Sequence, residues 1–511
     1  MNAALDFPEE AGKPEGAGKR STSAFGRAVV AAALEPLDPV GARAARAATN
    51  WRTDYLTHFR RLVEAGLDNP DGARAGAAAG LAHALETMRW SPGEQEPEVS
   101  LTEVIAGRID TGEALETDVV RGQAPPVTEL AIPVRGQLLT GSDRDRQLDA
   151  WVAAGVMEPS AAEAVRRVAA HPEWLSLPGR TVICLGAGAE IGAAPTLLRW
   201  GATVAGVDLR RPAIWQRLGE VADDSAGTLY LPFSGLPSGG SGGSGGSGDM
   251  AHRVGAKGGA GADLLSELPG LIAWAAALPG DLVLGNYLYA DGATNVRVSA
   301  AADAMSLGVR ERGRELTLAF LATPTDAFVV PPEAVVAATE AYDSRSGAAR
   351  LAGRGLRAVS RGRLLQRNYP PPANPPQPAI NDALVAQQGP NYALGKRMQR
   401  WRATTEHAAG RPVSMNIAPP TRTRSVVKNR ALAAAYAGAH RFGVEVFEPA
   451  TTRVLMAALL VHDLHEPPPR RTHPWQEEAH QAVHGGLWRA AFAPRSALGL
   501  AAVLGYGASR G

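Results

Sequence analysis

From residue 180 onward, short unbroken apolar runs alternate with amphipathic stretches. Residues 181–185 (TVICL) form an apolar run of strand length, followed by a glycine-rich turn and a helical pattern over 191–200. The strand pattern recurs at Thr203–Val207, 228–231, Asp281–Asn286, 315–321 and Val413–Ile417. Helical periodicity fills the gaps at 212–221, 264–278, 296–312, 331–342 and 379–408. Strands apolar on both faces, separated by amphipathic helices, imply a sheet covered on both sides. The pattern therefore predicts an α/β fold, a doubly wound, mostly parallel, Rossmann-like sheet spanning 179–447. Upstream, 25–90 is alanine-rich and helical, and 148–169 is amphipathic with an interruption at Pro159, predicting a mainly helical N-terminal domain over 25–178. The helical pattern from 448 to 511 predicts a C-terminal extension.

Composition adds limits. A chain of 511 residues is too long for one core. Residues 1–24 mix acids with Gly and Pro, which predicts disorder, and 238–248 (SGGSGGSGGSG) reads as a flexible loop. The stretch 345–378, rich in Arg and then Pro, reads as an insertion. With 52 basic against 51 acidic residues, neither nucleic acid nor an anionic membrane is the expected partner. No run of about 18 apolar residues marks a membrane span. The single cysteine, Cys184, excludes an intrachain disulfide and a multi-cysteine zinc site, and no secretory leader is recognisable in the first residues. The expectation is a cytoplasmic protein acting on a small molecule, with a homo-oligomer left open.

The candidate chemistry begins at Gly186-Ala187-Gly188-Ala189-Glu190-Ile191-Gly192, between the first strand and its helix. Gly186 permits a tight turn, Gly188 a close approach of backbone to a pyrophosphate, and Gly192 close packing of helix on strand. A helix start offers N–H groups to a phosphate. Asp208, ending the second strand 20 positions after Gly188, is placed to accept from ribose hydroxyls. Arg210 and Arg211 follow it, and such arginines hold the 2′-phosphate of NADP, so NAD and NADP both stay open. Residues 201–209 (GATVAGVDL) also resemble the second strand of class I S-adenosylmethionine-dependent methyltransferases, whose acid binds the ribose of that cofactor. That family usually has an acid near Cys184 and a glycine at Glu190, and both are missing.

Tyr392-Ala-Leu-Gly-Lys396 places a phenol and an ammonium one helical turn apart. Beside a nicotinamide, the ammonium would lower the phenol pKa and suit it to proton transfer. With these residues in order, 180–436 resembles the short-chain dehydrogenase/reductase superfamily. The resemblance aligns the family's glycines with Gly186, Glu190 and Gly192. It implies that Asn286 ends the fourth strand beside the nicotinamide, that Ala418 to Thr421 line the site, and that Lys396 holds ribose while tuning Tyr392. It implies binding of NAD or NADP at Gly186, Gly188, Glu190, Ile191, Gly192, Asp208, Arg210, Asn286 and Lys396. The departures are Glu190 for the middle glycine, Tyr287-Leu288 after Asn286, and Ala379 at the usual serine position, leaving Thr323 or Thr325 to polarise a carbonyl. The competing expectations are S-adenosylmethionine as cofactor, or a Rossmann module without turnover.

No metal is expected. His480 and His484 read as one turn apart on a helix, but no H-E-x-x-H accompanies them, so packing or capping is the expected role of the C-terminal histidines. The arginines between 350 and 367 read as a solvated face.

Overall fold

The computed structural model describes residues 4–9, 19–93, 96–109, 114–234 and 259–507. The Gly/Ser segment at 238–248 lies outside them.

Seven strands form the main sheet and are numbered here along the chain: β1 Glu116–Arg121, β2 Arg180–Leu185, β3 Thr203–Val207, β4 Thr228–Phe233, β5 Asp281–Asn286, β6 Leu316–Ala322 and β7 Val413–Ile417. Their spatial order is β7-β6-β5-β2-β3-β4-β1. The pairs from β7 to β4 are parallel and only β1 runs antiparallel, at the β4 edge. Leaving β1 aside, the order is 3-2-1-4-5-6, that of the doubly wound dinucleotide-binding fold, whose ligands sit at the carboxyl ends of the strands. The chain is thus α/β with a mostly parallel sheet.

Alternation along each strand sorts the core onto two faces. Ile183 and Leu185 of β2 point into a cluster with Leu282, Leu284, Leu318 and Phe320, beneath helices Leu268–Ala276, Ala293–Glu311 and Pro390–Ala408. Val182 and Cys184 point to the other face, with Val204, Leu229 and Val283, beneath Ala194–Arg199, Pro212–Asp223 and Pro449–His465. Cys184 is fully buried there, and burial pushes its thiol far up, so it acts as a small apolar side chain.

The N-terminal region does not stand apart from this sheet. Helices Thr22–Leu34, Trp51–Gly66 and Pro70–Thr87 pack on Pro390–Ala408 on one face, while Pro159–Ala170 packs on Pro449–His465 on the other. Between them β1 joins the sheet itself. Apolar helix faces showed that these segments bury something; they carried no information on which sheet face each would choose. Residues 4–6, expected to be disordered, form a strand paired with Arg89–Ser91, and Leu5 and Phe7 are buried. The reason is two apolar side chains in an otherwise polar segment, which average composition dilutes.

Three local expectations shift. The helix after the glycine turn starts at Ala194, not 191, with Pro195 in its first turn, and is only six residues long. Residues 379–382 form a hairpin strand with Ala327–Val330, and the helix begins at Pro390. His480 and His484 do not share a helix: Pro474–Ala479 ends before His480, and Gln481 has φ 57°. His484 is buried, with its Nε2 3.0 Å from Glu158 and its ring stacked on Trp488. Of the Arg-rich stretch, Gly347–Val359 is an exposed helix, while Arg345 and Arg367 lie over the Tyr342 ring.

His407 gives a pH-dependent stability. It lies near the end of Pro390–Ala408 at 9% exposure, and burial lowers its pKa to about 4 from 6.5. Between those values the unfolded chain binds a proton that the folded chain refuses, so stability falls as pH drops from 6.5 to about 4. The loss is about 3 kcal/mol. Urea unfolding at pH 7 and pH 4 is expected to show this difference between the wild type and His407→Gln. An equal acid loss in both would remove His407 as its origin.

Candidate functional site

The carboxyl ends of β2, β3, β5 and β6 gather most of the residues singled out above. At the end of β2, Gly186 turns the chain with φ 75°, and a Cβ there would meet the Tyr287 carbonyl at 3.1 Å. Gly188 is equally constrained, since a Cβ would sit 2.8 Å from Ile214 and 3.1 Å from Asp208. Asp208 holds the turn: its Oδ2 accepts from the Gly188 N–H at 2.9 Å, and its Oδ1 from the Leu209 N–H at 2.8 Å. Arg217 donates to the Gly188 carbonyl at 2.9 Å. The N–H groups of Glu190 and Ile191 bond to nothing among the described residues, so the turn retains donors for an anion.

Glu190 is placed against that use. Its carboxylate accepts from the Arg424 N–H at 2.8 Å, spanning from the glycine turn to the segment after β7. Its carbonyl accepts two hydrogen bonds from Arg453. Arg199 and Arg217 lie close enough to Arg453 to lower its pKa further below the value burial imposes. The turn therefore combines free amides and a surplus of guanidinium groups with one carboxylate at its middle. Glu190→Gly is expected to tighten binding of an NAD(P) pyrophosphate by about tenfold, the worth of one charge contact. Titration calorimetry of both forms measures it. Equal affinity would place the phosphates away from this turn.

Arg210 does not approach Asp208. It forms a bidentate pair with Glu267 at 2.5 and 2.6 Å and donates to Ser234. Arg211 is exposed beside it.

At β5 and β6 the second group converges. Asn286 is 2% exposed, and its Oδ1 accepts from Gln399 at 3.3 Å. Lys396 donates to Gln399 Oε1 and to the Leu321 carbonyl, both at 3.1 Å. Thr323 lies near the Tyr392 phenol, and the Thr323 hydroxyl is 2.8 Å from that of Thr325. The Tyr289 ring meets Tyr392 edge-on at 5.9 Å. A water-sized space of about 10 Å³ lies under Asn286 and Gln399, bordered by Ser299, Asp303 and Arg402. The structure thus brings Asn286, Thr323, Tyr392 and Lys396 together, although about seventy residues separate Thr323 from Tyr392 in sequence.

Tyr392 and Lys396 are both half-buried. Burial pushes the Tyr392 phenol up despite Thr323, and lowers Lys396 to about 8. No carboxylate contributes to the Lys396 value, so its charge rests on one carbonyl and one amide.

Gln399 was missed from sequence, although its signal was present: it follows Lys396 by three on the same helix face. Tyr289 had no signal, being brought to Tyr392 by tertiary folding alone. Ala379 lies in the hairpin strand paired with Val330. After β7, the Thr421 hydroxyl turns toward Thr452 at 2.7 Å, and Ala418 donates to the Ala322 carbonyl.

Compared with known protein families and with curated proteins, the chain matches no family model and no curated sequence. Among the described residues, no His, Cys, Asp and Glu cluster is arranged to hold a metal ion, and no helix is long and apolar enough to cross a membrane.

Proposed function

We propose that this protein is an NAD(P)-dependent oxidoreductase acting on an alcohol or carbonyl compound in the cytoplasm. The observation that carries the reading is the meeting of Thr323, Tyr392 and Lys396 beside Asn286 at the carboxyl ends of β5 and β6. The free amides of Glu190 and Ile191, with Asp208 one strand away, fit a dinucleotide's pyrophosphate and ribose. Against that fit stands the Glu190 carboxylate. The bound dinucleotide would supply or accept hydride. Tyr392 holds the proton that the substrate oxygen gains or loses, with Thr323 beside the phenol. Lys396, with Gln399 and Asn286, fixes the helix face that presents Tyr392.

A second reading, a dinucleotide-binding module without turnover, draws on the Glu190–Arg424 contact and on Lys396 being already bonded. Calorimetric titration with NAD⁺, NADP⁺, NADH, NADPH and S-adenosylmethionine decides between cofactors. Nicotinamide dinucleotide binding that is lost in Gly188→Asp supports the proposal. Binding of S-adenosylmethionine alone would sink it.

A further inference from the structure

A cavity of about 470 Å³ opens where the N-terminal region meets the segments after β7. That volume is within the range of small-molecule sites. Its apolar wall is Tyr436 with Val134, Val444 and Val446, all half-buried, backed by Trp151 and Phe447, which are 2% and 3% exposed and pack on each other at 5.1 Å between ring centroids. The polar groups are mostly acceptors. Glu445 is anchored by the Trp151 indole N–H, which donates to its Oε1 at 3.1 Å, leaving the second carboxylate oxygen with no described partner. Glu448 is exposed at the rim and makes no described ion pair. His440 has its Nδ1 3.0 Å from the Ala437 carbonyl, which can only accept, so in the neutral ring Nε2 is an acceptor too. Arg135, at the exposed tip of a hairpin, is the one cation among these groups.

An apolar wall flanked by carboxylates favours a cation that also carries an apolar body, and an aromatic ring in that wall attracts positive charge as the carboxylates do. We propose that this cavity binds an organic ammonium compound, its amine on Glu445 and its apolar part against Tyr436, Val134 and Val444.

Tyr436 lies in the helix Arg430–Gly438, twelve positions after Arg424, whose N–H donates to the Glu190 carboxylate. Binding of the amine does not depend on the oxidoreductase reading.

Three matched probes test the proposal on the full chain: 4-phenylbutylamine, 4-phenylbutan-1-ol and 4-phenylbutanoate, titrated by calorimetry at pH 7. The amine is expected to bind about tenfold more tightly than the alcohol, as one charge-assisted contact predicts, with the carboxylate weakest. Glu445→Gln, which keeps an acceptor for the Trp151 indole, is expected to abolish the preference for the amine. Ala154→Trp, at an exposed lining position, is expected to weaken the amine and the alcohol alike while leaving dinucleotide binding unchanged. Equal binding of amine and alcohol, preference for the carboxylate, or no binding of any probe would each overturn the proposal. A chain that binds the amine but no dinucleotide would retain this site and lose the oxidoreductase reading. The reverse result would retain that reading and lose this site.

Discussion

Asp326→Ala is expected to cost the fold about 3–5 kcal/mol, the usual penalty for breaking a buried ion pair from one side. Asp326 is 1% exposed, just beyond β6. Its two oxygens accept from Arg397 at 2.7 Å and Arg400 at 2.6 Å, and the Ala327 N–H donates to Oδ1 at 2.7 Å. Burial alone would raise this carboxyl; the two guanidinium groups overcome it and hold it below the usual carboxylate range. Arg400 keeps a second partner, Glu478, whereas among the described residues Asp326 is the only acid bonded to Arg397. Removing Asp326 therefore strands Arg397 as a buried charge, 4% exposed, against the Phe59 ring. The exposed pair Arg60–Glu64 supplies the contrast, and Glu64→Ala is expected to cost less than about 1 kcal/mol. Urea unfolding of the two variants measures both. A shift under about 1 kcal/mol for Asp326→Ala would mean that the pair is not buried in solution. Because Arg397 and Arg400 sit on the helix that carries Tyr392 and Lys396, this pairing also sets where those two side chains point.

The sheet was legible because its strands are apolar on both faces, a pattern that amphipathic helices between them cannot imitate. The bounds of β3, β5 and β7 matched their runs to the residue for that reason. The start of the helix after the glycine turn was misread because residues 191–193 are small or apolar and continue the helical periodicity, while Pro195 sets the true first turn. Assignment of Thr323 to the neighbourhood of Tyr392 required knowing that 327–382 folds away as a hairpin and helices, and only tertiary pairing shows that. The Asp326 network was invisible for a related cause. Its partners lie on three separate segments, and in sequence Arg397, Arg400 and Arg402 look like a solvated basic face. Buried charge is a property of the assembled fold, so periodicity marks that face polar and cannot say that it is dry. That the N-terminal region shares the core of the sheet was not legible, since β1 carries only a short, half-exposed alternation.

Tyr392→Phe is expected to lower turnover by about 10²–10⁴-fold, the span that one positioned acid or base supplies. Dinucleotide affinity is expected to stay unchanged, because the lost hydroxyl lies near Thr323 at the end of β6 and makes no hydrogen bond to the glycine turn. Burial holds the phenol above its ordinary value, so at neutral pH Tyr392 carries its proton and is set to donate. The phenol is therefore expected to give carbonyl reduction no pH step between 6 and 9, whereas alcohol oxidation, which needs the proton removed, rises with pH across that range. Lys396 tells a different story: at about 8, its amine loses charge within the working range. Replacing it with Met removes that charge, so reduction in Lys396→Met is expected to weaken below about pH 8 and to approach the wild type above it, through dinucleotide affinity more than through the proton step. Stopped-flow measurement of NADH or NADPH consumption with a panel of ketones and aldehydes, and of its formation with the matching alcohols, reads these effects across pH. If Tyr392→Phe consumes the dinucleotide as fast as the wild type, the phenol is not the acid, and Thr323 with Lys396 becomes packing beneath a nucleotide-binding module. If turnover falls while binding holds, then a half-buried phenol, held above its ordinary value by that burial, is the proton source.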